Sequence, residues 1–391
     1  MNNSWLLPEG VEEILPPQAT QLEGLSRKVV DLYMTWGYQL VIPPMIEFLE
    51  SLMTGTGVDL DLQTFKLTDQ LSGRLMGIRA DTTPQVARID AHILKRNVPT
   101  RLCYLGTVLH TRPENSGDSR SPLQVGAELY GHRGFESDAE ILCLMLETLN
   151  LAGIRNVHID LGHVGIYQGL VAQARLNEEQ ELELFDVLQR KAGSELEALI
   201  RTWSLPKKIA AMLEFLIQAN GDAVILRQAK KQLSPASVGV KRCLDELAGV
   251  TKAVEKRMPG APLYFDLAEL RGYHYHTGIV FAAYVPGRGQ GIAFGGRYDD
   301  IGRAFGRSRP ATGFSTDLKI LQSLSGNPTA IKQGIFAPGR NDAKLLKQIE
   351  RLRKKGEIVI TELPGQKGKP QDMGCDRKLA LKNGRWQIIR L

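Results

Sequence analysis

The sequence predicts an α+β fold: an antiparallel sheet body interrupted by one long helical stretch and followed by a short α/β unit. Three observations predict it. Strand-like segments cluster before residue 166 and return after residue 259. Between them, residues 167–258 are rich in Leu, Glu and Lys and almost free of strand signals. After a Ser/Gly/Asn/Pro linker at 323–329, a strand–helix–strand pattern opens the last segment. Antiparallel strands interrupted once in this way are an α+β arrangement rather than a doubly wound one. The boundaries divide the chain into a first core part (1–166), a helical insertion (167–258), a second core part (259–325) and a C-terminal α/β domain (330–391).

The elements follow in order. Residues 8–15 form an extended lead-in. Residues 18–36 have helical periodicity, with Leu22, Leu25, Val29, Leu32 and Tyr33 on one stripe, and Gly37 stops them. Residues 38–42 read as a strand that Pro43 and Pro44 keep from central pairing. Residues 65–67 and 75–79 pair around a turn at Ser72-Gly73. Residues 83–96 are helical, with Pro84 tolerated in the first turn. Strands are expected at 101–109, 123–130 and 157–161, a loop at 111–122 and a helix at 138–151. Within the insertion, Asn220-Gly221 and Ser234-Pro235 separate helices. Strands resume at 263–266, 279–284 and 291–294. The C-terminal domain reads as strand 334–337, helix 342–355, strand 357–363, a Lys/Gly-rich loop and a last strand at 385–390.

Bulk composition narrows the function classes. The 391 residues are 43% hydrophobic and 24% charged, ordinary for a soluble globular protein. The four cysteines are scattered without a C-x-x-C pair, which argues against a disulfide framework or a zinc site and suits a reducing, cytoplasmic setting. The N-terminus lacks a basic region followed by an apolar run, and no apolar stretch reaches roughly 18 residues, so neither secretion nor a membrane is expected. The net charge of +6 is uneven: residues 326–391 hold 15 Lys/Arg against 6 Asp/Glu. That tail suits an acidic or nucleic-acid partner, or a solvated helix face, since Lys344, Lys347, Arg351, Lys354 and Lys355 follow helical spacing. There is no Walker-type loop and no G-x-G-x-x-G after a strand, and no cofactor is expected.

Several motifs carry a resemblance. Ile42-Pro-Pro-Met-Ile-Glu47, Ile78-Arg-Ala-Asp-Thr-Thr83, the Arg101–Gly131 segment with Gln124-Val-Gly-Ala-Glu128, Leu270-Arg-Gly-Tyr-His-Tyr-His-Thr-Gly278 and Gly313–Leu321 occur in this order. Together they resemble the class II aminoacyl-tRNA synthetase core, and within that class the histidyl enzymes, over roughly residues 8–325. Arg297-Tyr-Asp299 is similar to a structural element of those enzymes. The departures fall on one function. The Arg that holds the α-phosphate is replaced in the run Leu109-His110-Thr111-Arg112, and the later phosphate-binding Arg falls on Ile320, beside Lys319 where an acid is expected. Adenylate transfer spreads negative charge over phosphate oxygens that fixed cations must meet. His110, Arg112, Lys319 and Ile320 therefore read as a degenerate nucleotide site. Only about 62 residues follow the linker, too few for the terminal domain of a histidyl synthetase.

Both losses resemble the regulatory subunit of ATP phosphoribosyltransferase, a synthetase paralogue. That resemblance implies a subunit without its own catalytic site, required for the first step of histidine biosynthesis and for feedback inhibition by L-histidine. It implies a short-form catalytic subunit as partner and a homodimer within a hetero-octamer, with no tRNA partner. Histidine-binding residues carried over are Asp81 for the amine, Thr83, Gln124, Glu128, Arg271 for the carboxylate, Tyr275 and His276, which stands where the synthetases have Tyr. Each has a plainer reading: Asp81 as a helix cap, Glu128 with Arg271 as a structural ion pair, Gln124 as a satisfied strand residue, His274 and His276 as half-buried histidines. The two histidines lack an evident third metal ligand, and the Gly-rich run 287–296 reads as a hairpin turn and close-packed strand rather than a phosphate loop. A divergent histidyl-tRNA synthetase and an RNA-binding paralogue remain the alternative functions.

Overall fold

The computed structural model describes residues 5–54, 58–113, 118–270, 272–273, 275–325 and 332–391. The chain divides into two compact units at residues 327/328.

The first unit opens with helix α1 (Gln18–Thr35), whose buried stripe is Leu22, Ser26, Val29 and Tyr33. That spacing places one face inward. Gly37, at φ 82°, closes the helix by donating to Met34 O. Next come β1 (Gln39–Leu40), β2 (Ile46–Phe48), α2 (Leu49–Met53), α3 (Val58–Gln63), β3 (Phe65–Thr68), β4 (Leu75–Ile78) and α4 (Thr83–Arg88). The helix expected through residue 96 widens into a π-helical segment at Ile89–Leu94 and stops at Lys95, whose φ of 49° is left-handed. Then follow β5 (Thr100–Thr107), β6 (Leu123–Tyr130), α5 (Phe135–Leu151) and β7 (His158–His163).

The helical stretch contains α6 (Val164–Ala174), α7 (Glu178–Gln189), α8 (Gly193–Thr202), α9 (Lys207–Gln218), α10 (Val224–Gln232) and α11 (Val238–Arg257). Asn220-Gly221, expected only to separate helices, is a short strand, β8, that pairs with β9 (Leu263–Asp266) at the sheet edge. Nothing in the dipeptide signals a strand; Tyr264 beneath it supplies a hydroxyl to Asn220 Oδ1 at 3.1 Å. The unit closes with β10 (Ile279–Tyr284), β11 (Ala293–Arg297), α12 (Ile301–Ala304), β12 (Ala311–Asp317) and α13 (Leu318–Leu324).

One nine-stranded sheet orders these strands β1-β5-β6-β12-β11-β10-β7-β9-β8. From β5 to β7 every neighbour is antiparallel, while β1/β5 and β7/β9 are parallel. The α+β class expected from the sequence is the observed one. A side sheet, β2-β4-β3, holds the approach to α4. Buried Arg79 fixes that approach by donating to Pro43 O at 2.9 Å and Thr107 O at 3.0 Å. Eleven of the 17 residues of α5 are buried, most of them in one core with Tyr33, Val125, Ala127 and Phe314, and Leu216, Leu244 and Leu247 of the helical stretch belong to the same cluster.

The second unit has β13 (Gly334–Ala337), α14 (Ala343–Lys354), β14 (Val359–Thr361), β15 (Cys375–Lys382) and β16 (Arg385–Arg390), in sheet order β14-β13-β15-β16. Its core is built on Ile335, Leu345, Ile349, Leu352, Leu379 and Trp386. Asp342 caps α14, accepting from Lys344 N at 2.7 Å, and also accepts from Trp386 Nε1 at 2.9 Å. β15 lies where a loop was expected. Its sequence, Cys-Asp-Arg-Lys-Leu-Ala-Leu-Lys, has only Cys375 and Leu379 buried, so apolar alternation is too sparse to register. The five basic residues singled out above, four in α14 and Lys355 at its C-cap, are all solvent-exposed.

Candidate functional site

Three strands and two connections bring the candidate residues together. A strand places residues i and i+4 on one face, so β6 presents Gln124 and Glu128 on the same face, four residues apart. The β4–α4 connection supplies Asp81, the first residue of α4 is Thr83, β5 supplies Tyr104, and the position after β11 is Tyr298. The turn before β10 supplies Tyr275.

Asp81 and Gln124 lock each other. Asp81 Oδ1 accepts from Gln124 Nε2 at 2.8 Å, Thr83 N at 3.2 Å and Thr83 Oγ1 at 3.3 Å. Gln124 Oε1 in turn accepts from Thr82 N at 3.0 Å, which sets the orientation of its amide. Asp81 thus does part of a helix-cap task, since Thr82 at the cap position makes no side-chain cap bond. Its Oδ2 makes no bond among the described residues, and the carboxylate lines an open cleft. An acid held through one oxygen with the other available suits an amine.

Glu128 is 1% exposed. It accepts from Tyr104 Oη at 3.2 Å and, closely, from Tyr298 Oη. Burial pushes its carboxyl up to about 8; the Asp81 charge adds to this and the Tyr298 hydrogen bond opposes it. Burial likewise holds the phenols of Tyr104, Tyr275 and Tyr298 well above their ordinary range. Tyr275 stacks on Tyr298 with ring centroids 5.1 Å apart. Its hydroxyl is buried and has no partner among the described residues. His276 stands behind Tyr275, 5.3 Å away edge-on, with Nδ1 3.2 Å from Gly272 O. It makes no hydrogen bond to Asp81 or Glu128 among the described residues. Arg271 and His274 lie outside the described residues. Tyr104 and Tyr298 were not singled out by sequence reasoning: one reads as an ordinary strand residue, the other as part of a structural motif.

Tyr273 of the same turn is anchored in the helical stretch. Its hydroxyl donates to Glu181 of α7, and its ring lies 5.1 Å from Tyr167 and 5.6 Å from Phe185.

Beside Asp81 and Gln124 opens a cleft of about 830 Å³. Lys319 and Ile320, both at its wall, do not act alike. Ile320 packs against the core. Lys319 Nζ donates to Glu12 Oε1 at 3.1 Å, Ser121 Oγ at 3.2 Å and Ser119 Oγ at 3.5 Å. His110 Nε2 lies 2.9 Å from Ala80 O, so that nitrogen carries the proton and is engaged. Arg112 is exposed and does not line the cleft. Arg288, between β10 and β11, also lines it and faces Asp118 Oδ1 at 3.5 Å. Against these cations stand Glu12, Glu13, Asp81, Asp118 and Asp317.

The antiparallel-centred sheet is the body of a class II synthetase of the histidyl type, as its family and fold matches show. Residues 10–321 match the family model for histidyl-tRNA synthetase, and residues 332–389 match that for the ATP phosphoribosyltransferase subunit HisZ C-terminal domain. In fold, the chain is similar to an ATP phosphoribosyltransferase regulatory subunit/histidyl-tRNA synthetase from Bacillus halodurans, with TM-score 0.84, 26% identity and 94% and 96% of the two chains covered. A histidyl-tRNA synthetase from Nostoc sp. PCC 7120, at 19% identity and TM-score 0.78 over 99% and 97%, shares the fold. In sequence, it is 60% identical to the ATP phosphoribosyltransferase regulatory subunit of Thioalkalivibrio sulfidiphilus over 380 residues, 97% and 96% of the two chains. The corresponding protein of Nitrosococcus oceani is 53% identical over 387 residues, 99% and 97%. The chain belongs to the ATP phosphoribosyltransferase regulatory subunits, a family of histidine biosynthesis.

Proposed function

We propose that the chain is a non-catalytic subunit that binds free L-histidine in the Asp81–Glu128 pocket and transmits its presence to a short-form catalytic subunit. The single observation that carries this reading is a hydrogen-bond chain, Asp81–Thr83–Tyr104–Glu128, that joins an acid on the cleft wall to a second acid buried behind it. Asp81 is half-buried and open on one oxygen, suiting the α-amine. Glu128 is fully buried near the hydroxyl of Tyr275, which has no partner among the described residues, suiting an imidazole that both donates and accepts. Thr83 and Gln124 orient Asp81. Arg271 takes the carboxylate by resemblance, and His276 supports Tyr275 from behind.

Loss of catalysis is supported by the cleft. Its two lining cations already face carboxylates of the chain itself, and an aliphatic side chain stands at Ile320. A nucleoside triphosphate entering there meets, among the described residues, five carboxylates and no unengaged lysine. The chain works as a homodimer within a hetero-octamer with the catalytic subunit. Regulation requires that histidine bind two states of that assembly differently.

The deciding experiment joins two measurements. Calorimetric titration of the isolated chain with L-histidine should give one site per chain. Formation of phosphoribosyl-ATP should need both subunits and fall as histidine is added. Histidine-dependent exchange of pyrophosphate into ATP by the chain alone would instead establish a divergent synthetase.

A further inference from the structure

One wall of the cleft is the N-terminal strap: Glu12, Glu13, Ile14 and Leu15 all line it. The strap has no regular secondary structure, yet two sets of bonds seat it. Arg120 N donates to Gly10 O at 2.7 Å, and Arg120 Nη1 donates to Glu9 O at 3.1 Å. Gly10, at φ 71°, is required at this crossing, because an added Cβ would lie 2.9 Å from Arg120 Cγ and Cδ. The second seat is Lys319.

An ammonium has three donors and no acceptor. All three of Lys319's donors are engaged, by Glu12, Ser121 and Ser119. The two partners differ in accessibility: the Lys319 side chain is 16% exposed and that of Glu12 is 54%. A sheltered cation is therefore neutralised by a carboxylate that reaches it from the solvent side. An ammonium flanked by two serine hydroxyls is also the arrangement that draws a small oxyanion, since each hydroxyl rotates to donate when an acceptor arrives.

We propose that Lys319, Ser119 and Ser121 form an oxyanion site whose resident occupant is the chain's own Glu12, so that the strap and a small phosphate-class anion compete for one cation. The tether gives Glu12 a high effective concentration and holds the site closed in the resting chain. The class of ligand follows from the neighbours. With Glu13 and Asp317 lining the same wall and Ile320 next to the lysine, there is charge compensation for one small anion and none for a triphosphate. The site shares the cleft with Asp81 and Gln124 but none of its residues is among the proposed histidine contacts, so the proposal does not rest on histidine binding.

The probe is inorganic phosphate, titrated by calorimetry at low ionic strength against the full chain, its Glu12→Ala variant and the Glu12→Ala/Lys319→Met double variant. Removing the competing carboxylate from a partly exposed pair should tighten phosphate binding about fivefold, and the double variant should return to wild-type affinity or below. Amide exchange at Arg120 should quicken in Glu12→Ala, because one of the strap's two seats is gone. Equal or weaker phosphate binding by Glu12→Ala would show that the strap is no competitor. A gain surviving in the double variant would place the anion elsewhere. Should Glu12→Ala fail to fold, Glu12→Gln removes the charge at nearly constant volume and carries the same test.

Discussion

Glu128 on β6 and Gly313 on β12 are register partners in adjacent strands, and the carboxylate of the first fills the space that a side chain on the second would need. A buried acid is thus accommodated by a missing Cβ on the neighbouring strand. Gly313→Ala must displace Glu128 or bend β12, whose Ala127 O neighbour would lie 2.9 Å from the new atom. Overpacking of this kind costs about 1–3 kcal/mol. Chemical denaturation should show that loss, and histidine titration should show binding abolished.

Histidine affinity should follow a bell-shaped pH profile. With one proton shared between Glu128 and the bound imidazole, binding releases a proton below the free imidazole value, ~6.5. It takes one up above the Glu128 value of about 8. Affinity is therefore greatest between these limits, and Glu128→Gln should flatten the alkaline limb. Stability follows a different course. Glu128's folded value is raised, so its contribution is full below the unfolded value, ~4.3, and is lost as pH rises through about 8. Calorimetric titration and denaturation at pH 5.5, 7 and 9 separate the two effects.

Tyr275→Phe should leave stability almost unchanged, because the hydroxyl it removes has no partner among the described residues. Its effect should fall on histidine. A lost neutral hydrogen bond of about 1 kcal/mol weakens binding roughly fivefold. Tyr298→Phe differs, since its hydroxyl donates to Glu128; melting temperature should fall there as well.

Asp81→Asn keeps the shape of the residue and removes its charge. If Asp81 holds the α-amine, histidine affinity should drop by about 1.5–3 kcal/mol, the range for a charged hydrogen bond. Histamine, which lacks the carboxylate but keeps the amine, should lose affinity for the variant in parallel. Unchanged affinity for both ligands would move the amine contact elsewhere.

Arg297→Lys should destabilise the first unit without touching the pocket directly. Arg297 Nη2 pairs with Asp138 Oδ2 at 2.9 Å, donates to Ser137 Oγ at 2.9 Å and reaches Gly134 O at 3.2 Å. Lysine cannot reproduce a planar fork. Breaking a buried pair costs about 3–5 kcal/mol, which thermal unfolding would register.

Much of the fold was legible. Helix α1 begins at the expected residue and ends one residue early, and β6 has the expected bounds, because both carry strong periodic patterns. Elements with weak patterns were not: β8 is two polar residues, and β15 has two buried side chains among eight. For the site, resemblance pointed to Asp81, Gln124 and Glu128; Asp81 and Gln124 line the cleft and bond each other, while Glu128 is buried behind them. It did not reveal that Tyr104 and Tyr298 bond Glu128, that Arg112 faces solvent, or that Lys319 is engaged by a glutamate 307 residues away.

What the sequence determined by itself was the kind of body and the kinds of groups it carries. Periodicity reports which face of a segment is apolar, and motif order reports ancestry. What only the tertiary structure decided was which of those groups are already satisfied. Glu128's raised proton affinity, the burial of the Tyr275 hydroxyl and the occupied ammonium of Lys319 all depend on neighbours brought in from distant parts of the chain. Burial and hydrogen bonding are properties of the assembled environment, and no local pattern encodes them.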